Sequence, residues 1–372
     1  MKQPGSFEHG GNIYALLRQS GQTSGDVLDF SANINPLGMA VSVRQAIETN
    51  LGNLIHYPDP AAVELKQAIS RHYQMPEECI TAGNGAVELL YVLCHCRKPR
   101  RVLVTAPTFS EYERAARAAG AAVEYFTLLP EQGFSLDVAE ILPRLSGVDM
   151  VFICNPNNPT GGLLRREQLE PLLIAAQKTG TMVVVDESFQ DFLTNRRELS
   201  CRPLLAKYDH LVVVCSLTKF YAIPGLRLGF VLASPAWTRT LHGAKDPWNV
   251  NSLAQVAGVA ALQDSAYQEQ SRAVLAQARE ELYELLLQIK NCRPYPPSVN
   301  YILLNIADSG VVSSKLRRRM AEAGVMIRDC ANYPGLSADY VRVAVKLPEQ
   351  NRKLAAVLQQ KLHSPECFTE EK

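Results

Sequence analysis

The sequence predicts an α/β protein with a large domain built on a mostly parallel sheet and a smaller α+β domain. Between residues 80 and 235, short runs rich in Val, Ile and Leu alternate with amphipathic segments whose apolar residues have helical spacing. Apolar residues fill these short runs without alternation, as is typical of strands buried on both faces. From residue 252 onward, a long helical segment leads into two short strands with a helix between them.

The strands of the large domain are expected, in chain order, at ECITAG, RVLVTAP, DMVFICNP, TMVVVDES, LVVVCSLT and RLGFVLAS. Helical segments such as RREQLEPLLIAAQKTG connect them, and Gly180 is placed to end that helix. Strands separated by helices favour parallel pairing. We expect residues 46–251 to form the large domain. Residues 252–372 form the small domain, to which residues 1–45 add an N-terminal arm.

Composition excludes several classes of function. A net charge of +1 over 372 residues gives no electrostatic reason to bind nucleic acid or a membrane surface. No apolar run approaches the length of a membrane span and no signal-peptide core is present, so we expect a cytoplasmic protein. The nine cysteines include no CxxC pair, and Cys94 and Cys96 have no second Cys/His pair beside them. We therefore expect reduced thiols and no metal site.

Two charged residues stand where buried strands end, and ligands of open α/β sheets bind beyond the carboxyl ends of the strands. Lys219 follows LVVVC; burial and cationic neighbours lower an amine pKa, which suits a lysine that forms a Schiff base. An exposed strand-end lysine is the alternative. Asp186 ends MVVVD and needs a cation, such as a protonated pyridine nitrogen, or several donors. A helix N-cap is its alternative.

Two Gly-rich loops complete the polar edge. ITAGNGAVELLYVL runs from a strand through a glycine turn into a helix, whose first amides and dipole favour an anion. FICNPNNPTGG follows another strand, and its prolines fix a backbone from which Asn amides can point into a cleft. A rigid surface turn is the alternative for the second loop.

In this order, NPNNPTG, DE-x-F and SLTKFYAIPGLRLG resemble the motifs of the fold-type I pyridoxal-phosphate enzymes, close to the histidinol-phosphate aminotransferases. The resemblance implies pyridoxal 5'-phosphate as cofactor. It makes Lys219 the Schiff-base lysine and later proton donor, and Asp186 the partner of the pyridine nitrogen. It also implies a homodimer in which Tyr57 reaches the partner's cofactor phosphate. The other cofactor contacts that it implies are Gly83, Asn84, Phe109, Asn158, Ser216, Thr218 and Arg227.

The ends of the chain match more narrowly. HGGN, DFSANINPLG and IRDCANYPGL resemble the L-threonine-O-3-phosphate decarboxylases of cobalamin biosynthesis. The implied reaction gives (R)-1-amino-2-propanol O-2-phosphate, and O-phospho-L-serine stays open as a second substrate. Two arginines suit bidentate contact with a phosphate. The implied substrate contacts are His9, Gly10, Asn33, Asn158, Arg328 and Arg342.

One position departs from the aminotransferases, which usually carry DE-x-Y. Phe189 stands at this place, so a hydrogen bond to the ring oxygen is missing. Two alternatives stay open: a histidinol-phosphate-type aminotransferase, and a homologue that binds pyridoxal phosphate without catalysis.

Overall fold

The computed structural model describes residues 9–14, 18 and 27–363. They form two compact units. Described residues up to Asn33, together with those from Leu275 onward, make the small unit, and Ile34–Val274 make the large one. The chain returns from the large unit to the small unit at Leu275, which lies inside a continuous helix, Ser265–Leu287. The predicted boundary at residue 252 lies where the sequence pattern changes, and this change marks only the start of a helical region. A division that falls within one helix leaves no such change in the sequence.

The strands and helices alternate along most of the chain, as the sequence predicts. The strands are β1 (Leu28–Asp29), β2 (Ile80–Gly83), β3 (Arg101–Ala106), β4 (Ala122–Thr127), β5 (Met150–Cys154), β6 (Met182–Asp186), β7 (Leu211–Ser216), β8 (Gly229–Leu232), β9 (Arg293–Pro294), β10 (Tyr301–Asn305), β11 (Val325–Met326), β12 (Arg328–Asp329) and β13 (Tyr340–Ala344). The helices are α1 (Val41–Thr49), α2 (Val63–Tyr73), α3 (Ala86–Arg97), α4 (Glu111–Ala118), α5 (Val138–Ile141), α6 (Arg166–Thr179), α7 (Arg196–Leu199), α8 (Pro235–Ala244), α9 (Ser252–Gln263), α10 (Ser265–Leu287), α11 (Ser313–Glu322) and α12 (Pro348–His363). Within the described ranges, no helix is long and apolar enough to span a membrane.

The large unit is built on a seven-stranded sheet in the order β2-β8-β7-β6-β5-β3-β4. β8 runs antiparallel to β2 and β7, while the pairs from β7 to β4 are parallel. This confirms the predicted mostly parallel sheet. The central strands are buried along their whole length, and Gly180 ends α6 in the left-handed conformation.

The sequence analysis missed β4, and its position explains why. β4 is the edge strand: it pairs with β3 and most of its residues are only half-buried. Polar residues such as Glu124 therefore interrupt the apolar run that marks the central strands. The two-residue strands of the small unit are also too short to give a pattern.

The small unit holds a four-stranded antiparallel sheet in the order β12-β13-β10-β9, and a parallel pair of β1 with β11. Phe30 joins these two groups, because its amide donates to the Met326 carbonyl at 2.8 Å and its carbonyl accepts from the Ala344 amide at 2.8 Å. The segment that follows β1 is thereby fixed beside β13.

Candidate active site

Asp186, the last residue of β6, is a buried carboxylate held by two donors. The Tyr112 hydroxyl donates to its Oδ2 at 2.7 Å, and the Ser188 amide donates to its Oδ1 at 2.8 Å. Burial, with the nearby carboxylate, raises the pKa of Tyr112 well above its usual range, so this hydroxyl is a neutral donor. The arrangement fits a carboxylate that accepts from two donors and can also pair with a cation. The sequence analysis missed Tyr112, which lies 74 positions from Asp186.

Lys219 lies just beyond β7, beside hydroxyl groups and an aromatic ring. Its Nζ donates to Ser216 Oγ at 3.3 Å and lies 5.0 Å from the centre of the Phe189 ring. Ser216 Oγ is 2.7 Å from Thr218 Oγ1. The Lys219 backbone is also held, because its carbonyl accepts from the Asn35 amide at 3.0 Å. The predicted Lys219, Ser216 and Thr218 therefore lie together.

The turn between β2 and α3 forms a cradle for an anion. A side chain at Gly85 would overlap the guanidinium of Arg227, so that charge lies directly against the turn. A Cβ at Gly229 would lie 2.5 Å from the Ala86 amide nitrogen, so β8 also approaches the helix start closely. The first amides of α3 and the Arg227 guanidinium are the donors that a phosphate prefers. This is the expected setting for the predicted Gly83, Asn84 and Arg227.

A carboxylate of the same helix also takes part in this turn. The Asn84 amide donates to Glu88 Oε2 at 2.6 Å, and the same oxygen accepts from Asn249 Nδ2 at 2.7 Å. Glu88 thus holds the turn that leads into α3. The sequence analysis did not single it out, although an acidic residue in the first helical turn is a common signal.

Two loops carry Phe109 and Asn158 and are joined to each other. Thr108 Oγ1 donates to Asn157 Oδ1 at 2.7 Å, and Asn157 Nδ2 donates to the Pro107 carbonyl at 2.9 Å. The Phe109 ring meets Tyr112 edge to face, with 5.6 Å between ring centres. Asn158 is buried next to this junction in the chain. Asn157 therefore has a structural role in NPNNP, as does Asn155, whose side chain bonds the Leu164 backbone.

Glu187, the second acidic residue of DE-x-F, serves the structure. It forms a buried ion pair with Arg202 at 3.0 Å, and it also accepts from the Ser200 hydroxyl and from the Cys201 amide. These contacts satisfy its charge, as a buried carboxylate requires. Of the two neighbouring acids, Asp186 is the one available for a ligand.

Tyr57 stands apart from these groups. It is 79% exposed, and its ring packs on Trp248 with 4.8 Å between centres. Several large apolar side chains of this region of the large unit are also exposed: Leu51, Leu54, Ile55 and Trp248.

Two buried arginines lie side by side in the small unit. Arg328 of β12 is directly opposite Arg342 of β13, and the two residues are 6% and 4% exposed. Arg328 donates to Asn332 Oδ1 at 2.7 Å and lies over the Tyr333 ring. Arg342 donates to the Ser31 carbonyl at 2.9 Å. Two buried arginines at directly opposite positions of neighbouring strands favour an anionic ligand.

Asn33 lies at the end of the segment that follows β1. Its carbonyl accepts from Asn300 Nδ2 at 3.0 Å. Its buried side-chain oxygen has no hydrogen-bond partner among the described residues. A buried amide oxygen of this kind favours a donor from a ligand.

The N-terminal His-Gly-Gly turn packs on Ser31 in the small unit. The Gly11 amide donates to Ser31 Oγ at 2.8 Å, and a side chain at Gly10 would overlap the Ser31 carbonyl oxygen. His9 is exposed. The structure therefore connects this turn with Arg342 through one residue, Ser31.

The sequence and the fold of this chain are similar to those of known proteins. Residues 25–358 match the model of the family aminotransferase class I and II. The chain is 40% identical, over 94% of its length and 95% of the relative, to a threonine-phosphate decarboxylase of Salmonella typhimurium. Among solved structures, the L-threonine-O-3-phosphate decarboxylase of Porphyromonas gingivalis has a TM-score of 0.83 at 27% identity, covering 91% of this chain and all of that one. The histidinol-phosphate aminotransferase of Clostridium acetobutylicum has a TM-score of 0.84 at 29% identity, covering 90% and 99%.

Proposed function

The chain belongs to the aminotransferase class I and II family, and on that premise we propose that it decarboxylates L-threonine O-3-phosphate. The product would be (R)-1-amino-2-propanol O-2-phosphate, the linker of the cobalamin nucleotide loop. The observation that carries the proposal is the contact of the His9-Gly10-Gly11 turn with Ser31, which also bonds Arg342. The 40% identity to the Salmonella enzyme supports it.

The residues of the large unit fit pyridoxal phosphate, the cofactor of this family. A phosphate suits the turn at Gly83 and Asn84 with the first amides of α3, together with the guanidinium of Arg227 and the hydroxyls of Ser216 and Thr218. Asp186, held by Tyr112 and Ser188, suits a protonated pyridine nitrogen. Phe109 is proposed to stack on the ring and Asn158 to donate to its hydroxyl. When bound, pyridoxal phosphate supplies an electron sink for the bond that breaks at the substrate's Cα.

Lys219 is the proton donor in this proposal. Its Nζ, beside Ser216 Oγ at 3.3 Å, delivers a proton to Cα after carbon dioxide has left. The Phe189 ring covers one side of this amine and offers no hydroxyl.

The arginine pair is proposed to bind the substrate's phosphate. Bidentate contacts from Arg328 and Arg342 hold a group that does not react, so its binding energy can position the reacting carbon. His9, the Gly10 amide and Asn33 are proposed as further contacts. The carboxylate can then stay poorly solvated, which favours its loss, because carbon dioxide leaves as a neutral molecule and the electron pair of the broken bond would pass to the electron sink.

The reaction separates this proposal from an aminotransferase. Purified enzyme with O-phospho-L-threonine should release carbon dioxide in the absence of any 2-oxo acid. A requirement for 2-oxoglutarate would instead establish the aminotransferase, whose cofactor residues are the same. If the protein does not bind pyridoxal phosphate, it is neither a decarboxylase nor an aminotransferase of this family. O-phospho-L-serine belongs in the same assay, since one methyl group changes selectivity by only ~1–3 kcal/mol.

We expect Arg342→Ala to raise the KM for O-phospho-L-threonine by about 10- to 100-fold, because a hydrogen bond to a charged group contributes about 1.5–3 kcal/mol. Steady-state kinetics measures this effect. Arg318→Ala, at an exposed arginine of α11 in the same unit, is the matched control and should leave KM unchanged. An unchanged KM in Arg342→Ala would remove Arg342 from the substrate site.

We propose a homodimer in which Tyr57 contacts the cofactor phosphate of the other subunit. The exposed Tyr57 and Trp248 rings, with Ile55 nearby in the chain, supply an apolar surface for it. Sedimentation should give twice the mass of one chain. The free thiols of the described cysteines fit a reducing cytoplasmic location.

Tyr57→Ala should weaken cofactor binding by about 10-fold, since one hydrogen bond to a charged group is lost. At a cofactor concentration that does not saturate Tyr57→Ala, mixing Tyr57→Ala and Lys219→Ala chains to form hybrid dimers should raise activity above that of either variant alone, because one site of each hybrid then has both residues. Without any gain on mixing, the proposed contribution of Tyr57 across the interface is wrong.

A further inference from the structure

We propose that Ser31 is a positioning residue for the substrate phosphate, which couples the N-terminal His-Gly-Gly turn to Arg342. This inference rests on the proposed function and deepens it. Ser31 is 3% exposed and uses both its side chain and its backbone. Its Oγ accepts from the Gly11 amide at 2.8 Å, and its carbonyl accepts from Arg342 Nη2 at 2.9 Å.

Asp29 determines which way the Ser31 hydroxyl points. Asp29 Oδ1 accepts from the Ser31 amide at 2.8 Å and from the Ser31 hydroxyl at 2.6 Å. The single hydroxyl proton is therefore directed to Asp29, and the lone pairs of Oγ are left for the Gly11 amide. A carboxylate partner makes this bond short and strong. The acceptor that holds the turn is thus oriented before any ligand binds.

The close packing of Gly10 on Ser31 allows only glycine at position 10. A Cβ at Gly10 would overlap the Ser31 carbonyl oxygen, and Gly11 has a φ of +87°, which favours glycine. The turn can follow Ser31 only with a bare backbone at position 10. His9 and the Gly10 amide are therefore placed by Ser31, which also fixes one nitrogen of Arg342.

The Ser31 backbone is itself anchored from two sides. The backbone of its neighbour Phe30 is hydrogen-bonded to Met326 of β11 and to Ala344 of β13, at 2.8 Å in each case. Ser31 therefore moves with the sheet that carries Arg342, and the turn follows. Loss of the Ser31 hydroxyl should release the turn while the sheet stays intact.

The test is a double-mutant cycle on KM with O-phospho-L-threonine. Ser31→Ala should raise KM by about 3- to 10-fold, the effect of one hydrogen bond, with kcat changed less than about 2-fold. Gly10→Ala should raise KM by at least as much. Because both changes release the same turn, the double variant should resemble the worse single variant rather than multiply the two effects.

Two measurements keep folding and function apart. The visible absorbance band of the bound cofactor and the thermal unfolding midpoint should be unchanged in Ser31→Ala. Amide exchange of the peptide that includes Gly11 should become faster. Ser337→Ala is the matched control, because Ser337 also donates to an aspartate at 2.7 Å in the small unit but is exposed. It should change neither KM nor exchange.

An unchanged KM in Ser31→Ala, with an active wild type, would overturn this inference and leave the proposed function standing. Multiplying KM effects in the double variant would also overturn it, since the residues would then act independently. If the wild type does not turn over the substrate, the proposed function fails. Even in that case, amide exchange at Gly11 that is slower or unchanged in Ser31→Ala would refute the contact between Gly11 and Ser31.

Discussion

Lys219→Ala is expected to reduce decarboxylation by about 10³-fold or more, because the chain loses both its covalent anchor for the cofactor and its proton donor at Cα. The Lys219 Nζ lies 3.3 Å from Ser216 Oγ and 5.0 Å from the centre of the Phe189 ring. The rate of carbon dioxide release measures this effect.

The control for this variant is Lys207→Ala, which removes a lysine that pairs with Glu170 on the surface of the same unit. It should keep the wild-type rate and the visible absorbance of the bound cofactor. Lys219→Ala should lose that absorbance band. If Lys219→Ala retains more than a tenth of the wild-type rate, Lys219 is not the essential amine.

Asp186→Asn is expected to lower kcat by about 10²- to 10³-fold with a smaller change in KM, because a neutral amide cannot keep a pyridine nitrogen protonated. The side chain keeps its shape, and its Oδ1 can still accept from the Ser188 amide. The amide's NH₂ group, however, would face the Tyr112 hydroxyl, which now donates at 2.7 Å.

Tyr112→Phe separates the two parts of this effect. It removes the donor from Asp186 but leaves the charge, so its kcat should fall by only about 10-fold or less. A wild-type rate in Asp186→Asn, with the cofactor bound, would show that the carboxylate has no electronic role.

The central strands and the loops at their ends could be predicted from the sequence because the signal is local. LVVVC is buried along its whole length as β7, and Lys219 follows it as expected. A run of apolar residues and the next polar residue lie within ten positions of each other. The family resemblance is confirmed by the match over residues 25–358.

Contacts between distant parts of the chain could not be predicted in this way. Tyr112 donates to Asp186 across 74 positions, and Arg342 donates to Ser31 across 311. Neither Tyr112 nor Ser31 differs locally from an ordinary helical tyrosine or turn serine. The antiparallel direction of β8 could not be predicted either, because the sequence of a strand buried on both faces has the same apolar pattern in either direction. The roles of the individual site residues stay a prediction.

The central claim is that the bond to the carboxylate breaks while the amino group stays on the product. O-phospho-L-threonine with one isotopic label on the carboxyl carbon and another on the amino nitrogen tests it in a single reaction. We predict that the carbon label leaves as carbon dioxide and that the nitrogen label stays on the phosphorylated amino alcohol. Retention of the carbon label in a 2-oxo acid, with transfer of the nitrogen label to an acceptor, would contradict this account.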